Sequence, residues 1–223
     1  MKRLILLMVM FATCCAKPED LSGKVFVFPK ETKTDHVKLQ TSQTEFSSVT
    51  ACLRFQTDLT RNYGLFSLAT TAHSNAFLLF KRESVDVIDV EARDGKADFG
   101  SLSFPRNTWH SVCATWRSDN GVAQVWMDGK ATIKRFIRTR AITGAPITIL
   151  GQEQDAYGGN FDEAQSFIGM ITDVHMWDQV LPASEIKRYM AYKHFTPGNV
   201  FNWGALEYDI TGDILVEEES EVM

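Results

Sequence analysis

Short apolar segments with alternating polarity, separated by turns that contain Gly or Asp, run along most of this 223-residue chain. Successive side chains of a strand point to opposite faces, so alternation predicts half-buried strands. Asn120-Gly121 and Asp128-Gly129 are typical of tight hairpin turns. Many short strands with such turns predict an all-β, antiparallel sandwich. The predicted strands are residues 25–28, 36–39, 49–56, 65–68, 77–80, 85–90, 109–116, 122–127, 131–137, 147–150 and 167–177.

One segment, residues 182–192, has helical periodicity instead. Ile186, Tyr189 and Met190 stand at positions i, i+3 and i+4, which places them on one face of a helix. Pro182 suits the start of a helix, and basic residues follow its end. We therefore expect one helix that lies on a face of the sandwich.

The first sixteen residues predict a signal peptide that directs secretion. Lys2 and Arg3 precede an apolar run, and small residues follow at Cys14-Cys15-Ala16. The apolar run is too short to span a membrane, so we expect no transmembrane anchor. Residues 17–223 contain no repeat or linker and are expected to form one domain.

The net charge argues against nucleic acid as a partner. Cleavage after residue 16 removes two of the 23 basic residues and none of the 28 acidic ones, which leaves a net charge of −7. Two cysteines remain in this secreted chain, so we expect a disulfide between Cys52 and Cys113.

The acidic segment 150–169 is the strongest candidate for a functional site. It brings six carboxylate or amide side chains together around Gly158-Gly159: Glu153, Gln154, Asp155, Asp162, Glu163 and Gln165. A turn at the glycines would fold the second half back on the first, and calcium prefers such oxygen ligands. A solvated acidic loop is the alternative. Glu153 and Asp155 could also serve as a glycosidase pair, but Tyr157 holds the next position on that face.

Two motifs resemble the pentraxin family. Residues 151–169 (GQEQDAYGGNFDEAQSFIG) are similar to its calcium loop. Residues 110–118 (HSVCATWRS) resemble its signature of His, Cys, Ser or Thr, Trp and Ser in that order. Shorter similarities at residues 24–32, 125–130, 176–182 and 202–212 are collinear, so the resemblance covers nearly all of residues 17–223. It implies a lectin-like jelly roll whose helix lies opposite the calcium site.

The resemblance also implies two calcium ions per subunit. The matching ligand positions are Asn75, Glu153, Gln154 through its backbone carbonyl, Asp155, Asp162 and Gln165. Ser74 stands where the family has Asp, and a hydroxyl is a weaker calcium ligand than a carboxylate, so we expect weaker binding of the first ion. Asp162 stands where one branch of the family has the longer Glu.

The implied ligand is phosphocholine, phosphoethanolamine or a related acidic sugar. Phe80 matches an apolar residue that lines the pocket beside the ion. One branch of the family also has a Glu that faces the choline ammonium. Here Glu91, Asp94 and Asp98 are all candidates for that role.

The resemblance therefore implies a secreted, calcium-dependent pattern-recognition protein of innate immunity, of the acute-phase type and without catalytic residues. Its partners would be phosphocholine-type or polysaccharide ligands on microbes or damaged cells, and complement. We expect a cyclic homo-oligomer, a pentamer in most of the family. The alternatives are a laminin-G-like adhesion module and a jelly-roll glycosidase. The acidic end, residues 217–221, is expected to be solvated and mobile.

Overall fold

The computed structural model describes residues 17–83 and 86–219, so the predicted signal peptide lies outside the described residues. In these ranges the chain forms two large antiparallel sheets, a two-stranded ribbon and one α-helix. The strands are β1 (Lys24–Phe28), β2 (His36–Leu39), β3 (Glu45–Phe46), β4 (Ser48–Gln56), β5 (Tyr63–Thr70), β6 (His73–Lys81), β7 (Ile88–Ala92), β8 (Gly95–Phe99), β9 (His110–Arg117), β10 (Val122–Met127), β11 (Lys130–Ala131), β12 (Arg135–Phe136), β13 (Ile142–Thr143), β14 (Ile147–Leu150), β15 (Gly169–Trp177), β16 (Tyr208–Thr211) and β17 (Leu215–Glu218).

The two sheets pack face to face, which confirms the predicted sandwich. Sheet I has the strand order β11-β10-β9-β4-β15-β1-β17, with β12 also paired to β10. Sheet II has the order β16-β2-β14-β5-β6-β7-β8. The inner faces supply one continuous core, because alternate residues of each strand are apolar and buried.

Two predicted strands are shorter or divided in the structure, and five strands were not predicted: β3, β8, β13, β16 and β17. Residues 85–90 were expected to form one strand, but β7 begins at Ile88, because Asp86 has a positive φ of 68° and forms a turn. Residues 131–137 form two short strands, β11 and β12, instead of one. The side chains between them are mostly exposed, so no core contact holds this segment in a regular ladder.

The predicted helix is α1 (Ala183–Met190), and it packs on the outer face of sheet I. Its apolar side covers the predicted disulfide, which joins directly paired positions of β4 and β9. Together they form a second, smaller core of Cys52, Cys113, Trp126, Trp177, Leu181, Ile186, Tyr189 and Met190. Among the residues described here, no helix is long and apolar enough to cross a bilayer.

The acidic end of the chain is more ordered than the sequence predicted. Residues 217–221 were expected to be mobile, but Glu217 and Glu218 belong to β17, which pairs antiparallel with β1. The side chains of β17 are exposed as expected, yet its backbone completes one edge of sheet I. The prediction was wrong for these residues because charged side chains do not prevent the backbone from extending a ladder at a sheet edge.

Candidate functional site

A cavity of about 680 Å³ opens on the outer face of sheet II. Cross-strand pairing explains which side chains reach it. Leu78 of β6 pairs with Glu91 of β7, and Phe80 pairs with Asp89. Their sequence neighbours on β6 and β7 are buried in the core, so these four side chains point outward. The helix packs on sheet I, so the cavity lies on the opposite side of the sandwich.

The acidic segment folds back over this cavity at the predicted turn. Ala156 and Gly159 form an antiparallel bridge, and Gly158 between them has a φ of 82°, which only glycine adopts without strain. The chain then enters a short 3-10 helix, Glu163–Gln165. This path brings Gln165 to the wall already formed by Glu153 and Asp155.

Glu153 is the acidic residue of the loop whose pKa is clearly raised. Burial raises the pKa of Glu153 to about 7, and the negative charges of Asp155, Glu91 and Asp162 add to the effect. Burial also raises the pKa of Glu91. Carboxylates held this close favour protonation unless a cation neutralises them. A bound cation would therefore stabilise the ionised carboxylates.

Two amide side chains have oxygens that lack partners. Asn75 Oδ1 and Gln165 Oε1 are both buried, and neither accepts a hydrogen bond from the described part of the chain. A buried acceptor without a donor is unfavourable by about 1–3 kcal/mol. Both residues line the same cavity as Glu153. Two unpartnered oxygens next to repelling carboxylates fit a hard cation such as calcium, which binds neutral and charged oxygens together.

The side chains of Gln154 and Asp162 form hydrogen bonds that hold the acidic loop in place. The Gln154 side chain is fully buried, donates to Ser67 O (2.9 Å) and Ile147 O (3.1 Å), and accepts from Gly158 N (3.0 Å). It therefore fixes the loop, and its side chain is not a ligand. Asp162 Oδ1 accepts from Ala164 N (3.0 Å) and caps the 3-10 helix.

The other predicted ligand positions lie at the start of β6. Ser74 is half-buried and precedes Asn75, whose Nδ2 donates to Glu91 Oε2 at 3.0 Å. Within the described residues, no three His, Cys, Asp or Glu side chains form a ready-made metal centre. Two of the oxygens that fit a cation belong to the amides of Asn75 and Gln165, which are not among those four residue types.

The three acidic candidates for the ligand-facing role differ in their position relative to the cavity. Glu91 lines the cavity next to Asn75. Asp94 instead binds His73 Nδ1 (2.6 Å) and Asn75 N (3.0 Å), so it supports the β6–β7 end of the sheet. Asp98 lies on β8, where it pairs loosely with Lys96 at 3.7 Å.

The sequence analysis did not predict the residues that line the far end of the cavity. Arg82, Asp89 and Lys96 line it beyond Phe80, and Lys96 Nζ lies 3.4 Å from Asp89 Oδ2. Burial, together with a hydrogen bond to Asp98, raises the pKa of Asp89 to about 6. The alternation of Asp89 and Glu91 in an otherwise apolar strand was the available signal, but it does not show which side chains of neighbouring strands lie beside them.

His110, the first residue of the signature-like motif, has a structural role. Its Nδ1 lies 2.8 Å from Asp128 Oδ2, and its Nε2 lies 3.0 Å from Pro105 O. Both partners are acceptors, so this position favours the protonated ring, which can donate from both nitrogens. The residue holds the β10–β11 turn to β9, far from the cavity in the strand order.

Comparison with known proteins gives a consistent result. The sequence model of the Pentaxin family (the pentraxins) matches residues 24–218. The chain is similar to human serum amyloid P-component, with 39% identity over 201 residues, which cover 89% of this chain and 88% of the relative. It is also similar to C-reactive protein of Sus scrofa, with 38% identity over 219 residues, 97% of this chain and 96% of the relative.

A solved structure shows the same fold. The native heptameric SAP-like pentraxin from Limulus polyphemus superposes with a TM-score of 0.81 and 20% sequence identity. The superposition covers 90% of this chain and 97% of that chain. At this identity the similarity is evidence for the fold alone.

Proposed function

The chain belongs to the pentraxin family, and we propose that it is a secreted recognition protein whose cavity on sheet II binds anionic ligands through calcium. Membership makes it a pentraxin-type recognition protein of innate immunity and not an enzyme. The observation that supports the calcium proposal is the pair of unpartnered oxygens, Asn75 Oδ1 and Gln165 Oε1, beside Glu153. Secretion is supported by the signal-like residues 1–16.

Six positions would hold two calcium ions, as the family resemblance implies. Glu153, Asp155 and Asp162 would supply charge, and Asn75 and Gln165 would supply neutral oxygens. Gln154 would contribute its backbone carbonyl, since its side chain is used in the loop. Bound calcium would supply the local positive charge that a phosphate or carboxylate ligand needs in an acidic protein.

The chain's own residues would then orient the ligand. Phe80 is half-buried at the wall of the cavity and provides apolar contact beside the charged region. The loop from Gly151 to Phe167 forms the opposite wall and is ordered by its own hydrogen bonds. Phosphocholine, phosphoethanolamine and acidic sugars all carry the required anion next to a less polar part. Recruitment of complement is carried over from the family resemblance alone.

Retention of the protein on phosphoethanolamine and phosphocholine resins tests this function. We expect binding in calcium and release by a chelator. Calcium should also protect residues 150–169 from proteolysis, because it would hold the two halves of the loop together. If calcium neither protects this segment nor supports retention on any anionic resin, the proposal is wrong.

We propose further that copies of the chain associate edge to edge. One edge of sheet I carries five exposed basic residues: Lys130, Lys134, Arg135, Arg138 and Arg140. The same segment exposes Ile133 (68%) and Phe136 (65%). Within the described residues, none of these five cations has an ion-pair partner in its own chain.

The other edge of sheet I is complementary. Strand β17 exposes Leu215 (48%) and Val216 (36%), and acidic residues follow at positions 217–219. A basic, apolar edge in one copy can therefore meet an acidic, apolar edge in the next. Such a head-to-tail contact uses two different surfaces, so it generates a closed ring when the rotation permits. The expected pentamer is one such ring.

Sedimentation of charge-reversed variants tests this contact. Lys134→Glu/Arg135→Glu should dissociate the oligomer, and so should Glu217→Lys/Glu218→Lys. Combining all four substitutions restores complementarity, so the oligomer should re-form. Lys187→Glu/Lys193→Glu changes two exposed residues on the helix side as a control. Unchanged size in both reversed variants would exclude these edges as the contact.

A further inference from the structure

Arg61, in the segment between β4 and β5, contacts the second half of the acidic segment 150–169. Its Nη1 donates to Ala164 O at 3.2 Å and to Ser166 O at 2.6 Å. Its Nη2 lies 3.4 Å from Ser166 Oγ. The guanidinium therefore holds the backbone on both sides of Gln165, whose side chain lines the cavity.

The end of the 3-10 helix explains why these carbonyls need a donor. The last carbonyls of a helix have no partner within the helix itself. Asp162 O and Glu163 O accept from Gln165 N (2.9 Å) and Ser166 N (3.1 Å), and the next carbonyl, Ala164 O, lies beyond them. The helix has no basic residue in its last turn, so a guanidinium 103 positions earlier in the chain supplies the donor. Its planar fork of N–H groups suits two neighbouring oxygens.

Arg61 is itself held in place. Its Nε lies 3.4 Å from Glu31 Oε1, its Nη1 lies 2.9 Å from Asn62 O, and its side chain is only 24% exposed. Thr32 N, next to Glu31, lies 3.4 Å from the oxygen Ser166 Oγ. The segment after β1 and the segment before β5 thus both hold the end of the 3-10 helix.

The two unpartnered amide oxygens of the site are held by different means. Asn75 lies on β6, and its Nδ2 is bonded to Glu91 of the paired strand β7. Gln165 lies in a three-residue 3-10 helix and in no strand of either sheet. Its buried Oε1 therefore depends for its position on the backbone that Arg61 holds.

We infer that Arg61 is a positioning residue for calcium binding, which keeps the amide oxygen of Gln165 in place beside Glu153 before the ion arrives. This inference rests on the proposed calcium site and adds a residue outside the predicted ligands. Without the guanidinium, calcium would have to order the end of the 3-10 helix as it binds. Fixing backbone in this way opposes binding, so we expect the affinity for the ion bound by Gln165 to fall about tenfold.

Charge alone predicts the opposite result. Arg61 precedes Asn62, which lines the cavity, so its positive charge lies near the proposed cation site. Like charges repel, so removal of this cation should strengthen calcium binding if the charge is its only influence. Arg61→Met removes the charge and the donors but keeps a long side chain. Weaker calcium binding in this variant would therefore report position and not charge.

Calorimetric calcium titration of four proteins tests the inference: the parent, Arg61→Met, Gln165→Ala and the double variant. We expect Arg61→Met to bind calcium about tenfold more weakly than the parent. The double variant should bind no more weakly than Gln165→Ala, because Arg61 acts through Gln165 and the two losses are then not additive. Arg61→Lys keeps the charge and can still donate to a carbonyl, so it should bind calcium more tightly than Arg61→Met.

Amide hydrogen exchange in chelator gives a readout that needs no calcium. Ser166 N and Phe167 N are bonded to Glu163 O and Gly151 O. In Arg61→Met we expect these two amides to exchange several-fold faster, while the amides of β6 exchange as in the parent. Arg106→Met changes an exposed arginine in the loop before β9 and should alter neither exchange nor calcium affinity.

The outcomes separate this inference from the proposed function. If the parent shows no calcium binding, the proposed function fails and the inference fails with it. If the parent binds calcium but Arg61→Met binds it equally or more tightly, the inference alone is wrong. Additive losses in the double variant, or unchanged exchange of Ser166 N and Phe167 N, would also overturn it.

Discussion

Asn75 Nδ2 donates a 3.0 Å hydrogen bond to Glu91 Oε2 across strands β6 and β7, while Asn75 Oδ1 remains buried without a donor. The bond fixes one end of the amide, so the other end is held in place as an unused acceptor. This acceptor oxygen is therefore already in position before any ligand binds. Carboxylates and an unpartnered oxygen held together in this way favour a bound cation.

Glu153→Gln should have opposite effects with and without calcium. Burial holds the pKa of Glu153 near 7, above the usual 4.5, so its charge destabilises the calcium-free fold. That penalty is absent below pH 4.5, grows as the pH rises to about 7, and is then complete. At pH 8 with chelator, we expect the variant to be more stable by about 1–3 kcal/mol.

In calcium the same substitution should weaken ion binding roughly tenfold or more, because a charged ligand is replaced by a neutral one. Chemical unfolding and calcium titration measure the two effects. Glu163→Gln makes the same change in an exposed residue of the same loop and should leave both unchanged. Equal calcium affinity in Glu153→Gln and the parent would contradict the assigned role.

Ser74→Asp should strengthen calcium binding. Ser74 is half-buried next to Asn75, at a position where the family has a carboxylate. Adding a charged oxygen there should raise the affinity for the weaker ion several-fold. Ser74→Asn is the matched control, since it adds a side chain of similar size without charge. A calcium titration in which Ser74→Asp shows no gain over Ser74→Asn would disprove this assignment.

Arg54→Leu should strongly destabilise the helix side of the protein. Arg54 is 2% exposed, its Nε lies 2.9 Å from Asp173 Oδ2, and its guanidinium also donates to Ser111 and to Tyr189 O. Burial would favour the neutral acid, but a hydrogen bond from His175 and the charge of Arg54 hold the pKa of Asp173 below its usual value. Loss of the arginine leaves the half-buried Asp173 carboxylate without its cationic partner, which costs about 3 kcal/mol.

The double variant Arg54→Leu/Asp173→Asn separates charge from packing. Asp173 has a positive φ of 52°, which Asn tolerates, so this second substitution adds little backbone strain. Denaturant unfolding should show that it recovers most of the lost stability. If the double variant is as unstable as Arg54→Leu, the loss comes from the hydrogen bonds of Arg54 to Ser111 and Tyr189 O and from its stacking on the Tyr192 ring, 3.6 Å away, and not from the stranded charge.

His110 should make folding stability depend on pH near neutrality. Burial lowers its pKa, but the hydrogen bonds to Asp128 and to Pro105 O outweigh burial and leave the pKa raised above 6.5. A raised pKa in the folded state means that this contribution is complete below pH 6.5 and is lost as the pH rises through the folded value. NMR titration of the ring and unfolding at several pH values measure it.

His110→Asn removes the titrating ring and should flatten this part of the pH profile. His194→Asn, at an exposed position after the helix, should leave the profile unchanged. A folded-state pKa for His110 at or below 6.5 would show that burial, not hydrogen bonding, dominates.

The loop at Gly158-Gly159 shows how far a pattern can predict a site. The two glycines and the flanking oxygen-bearing residues predicted a fold-back, and the Ala156–Gly159 bridge confirms it. The resemblance identified Asn75 and Gln165, and the structure places both at the cavity of Glu153. Asp89 was missed because alternation gives the face of a side chain but not its neighbours, and only the pairing of β6, β7 and β8 brings Arg82 and Lys96 beside it.

The amino-acid sequence determined the sandwich, the single helix, the Cys52–Cys113 disulfide and the composition of the acidic loop, because these follow from local periodicity, turn residues and cysteine count. Only the tertiary structure decided the burial of Asp89, the unpartnered oxygens of Asn75 and Gln165, and the pairing of β17 with β1. These depend on contacts between segments far apart in the chain. Burial and hydrogen bonding are properties of such contacts, and no local pattern encodes them.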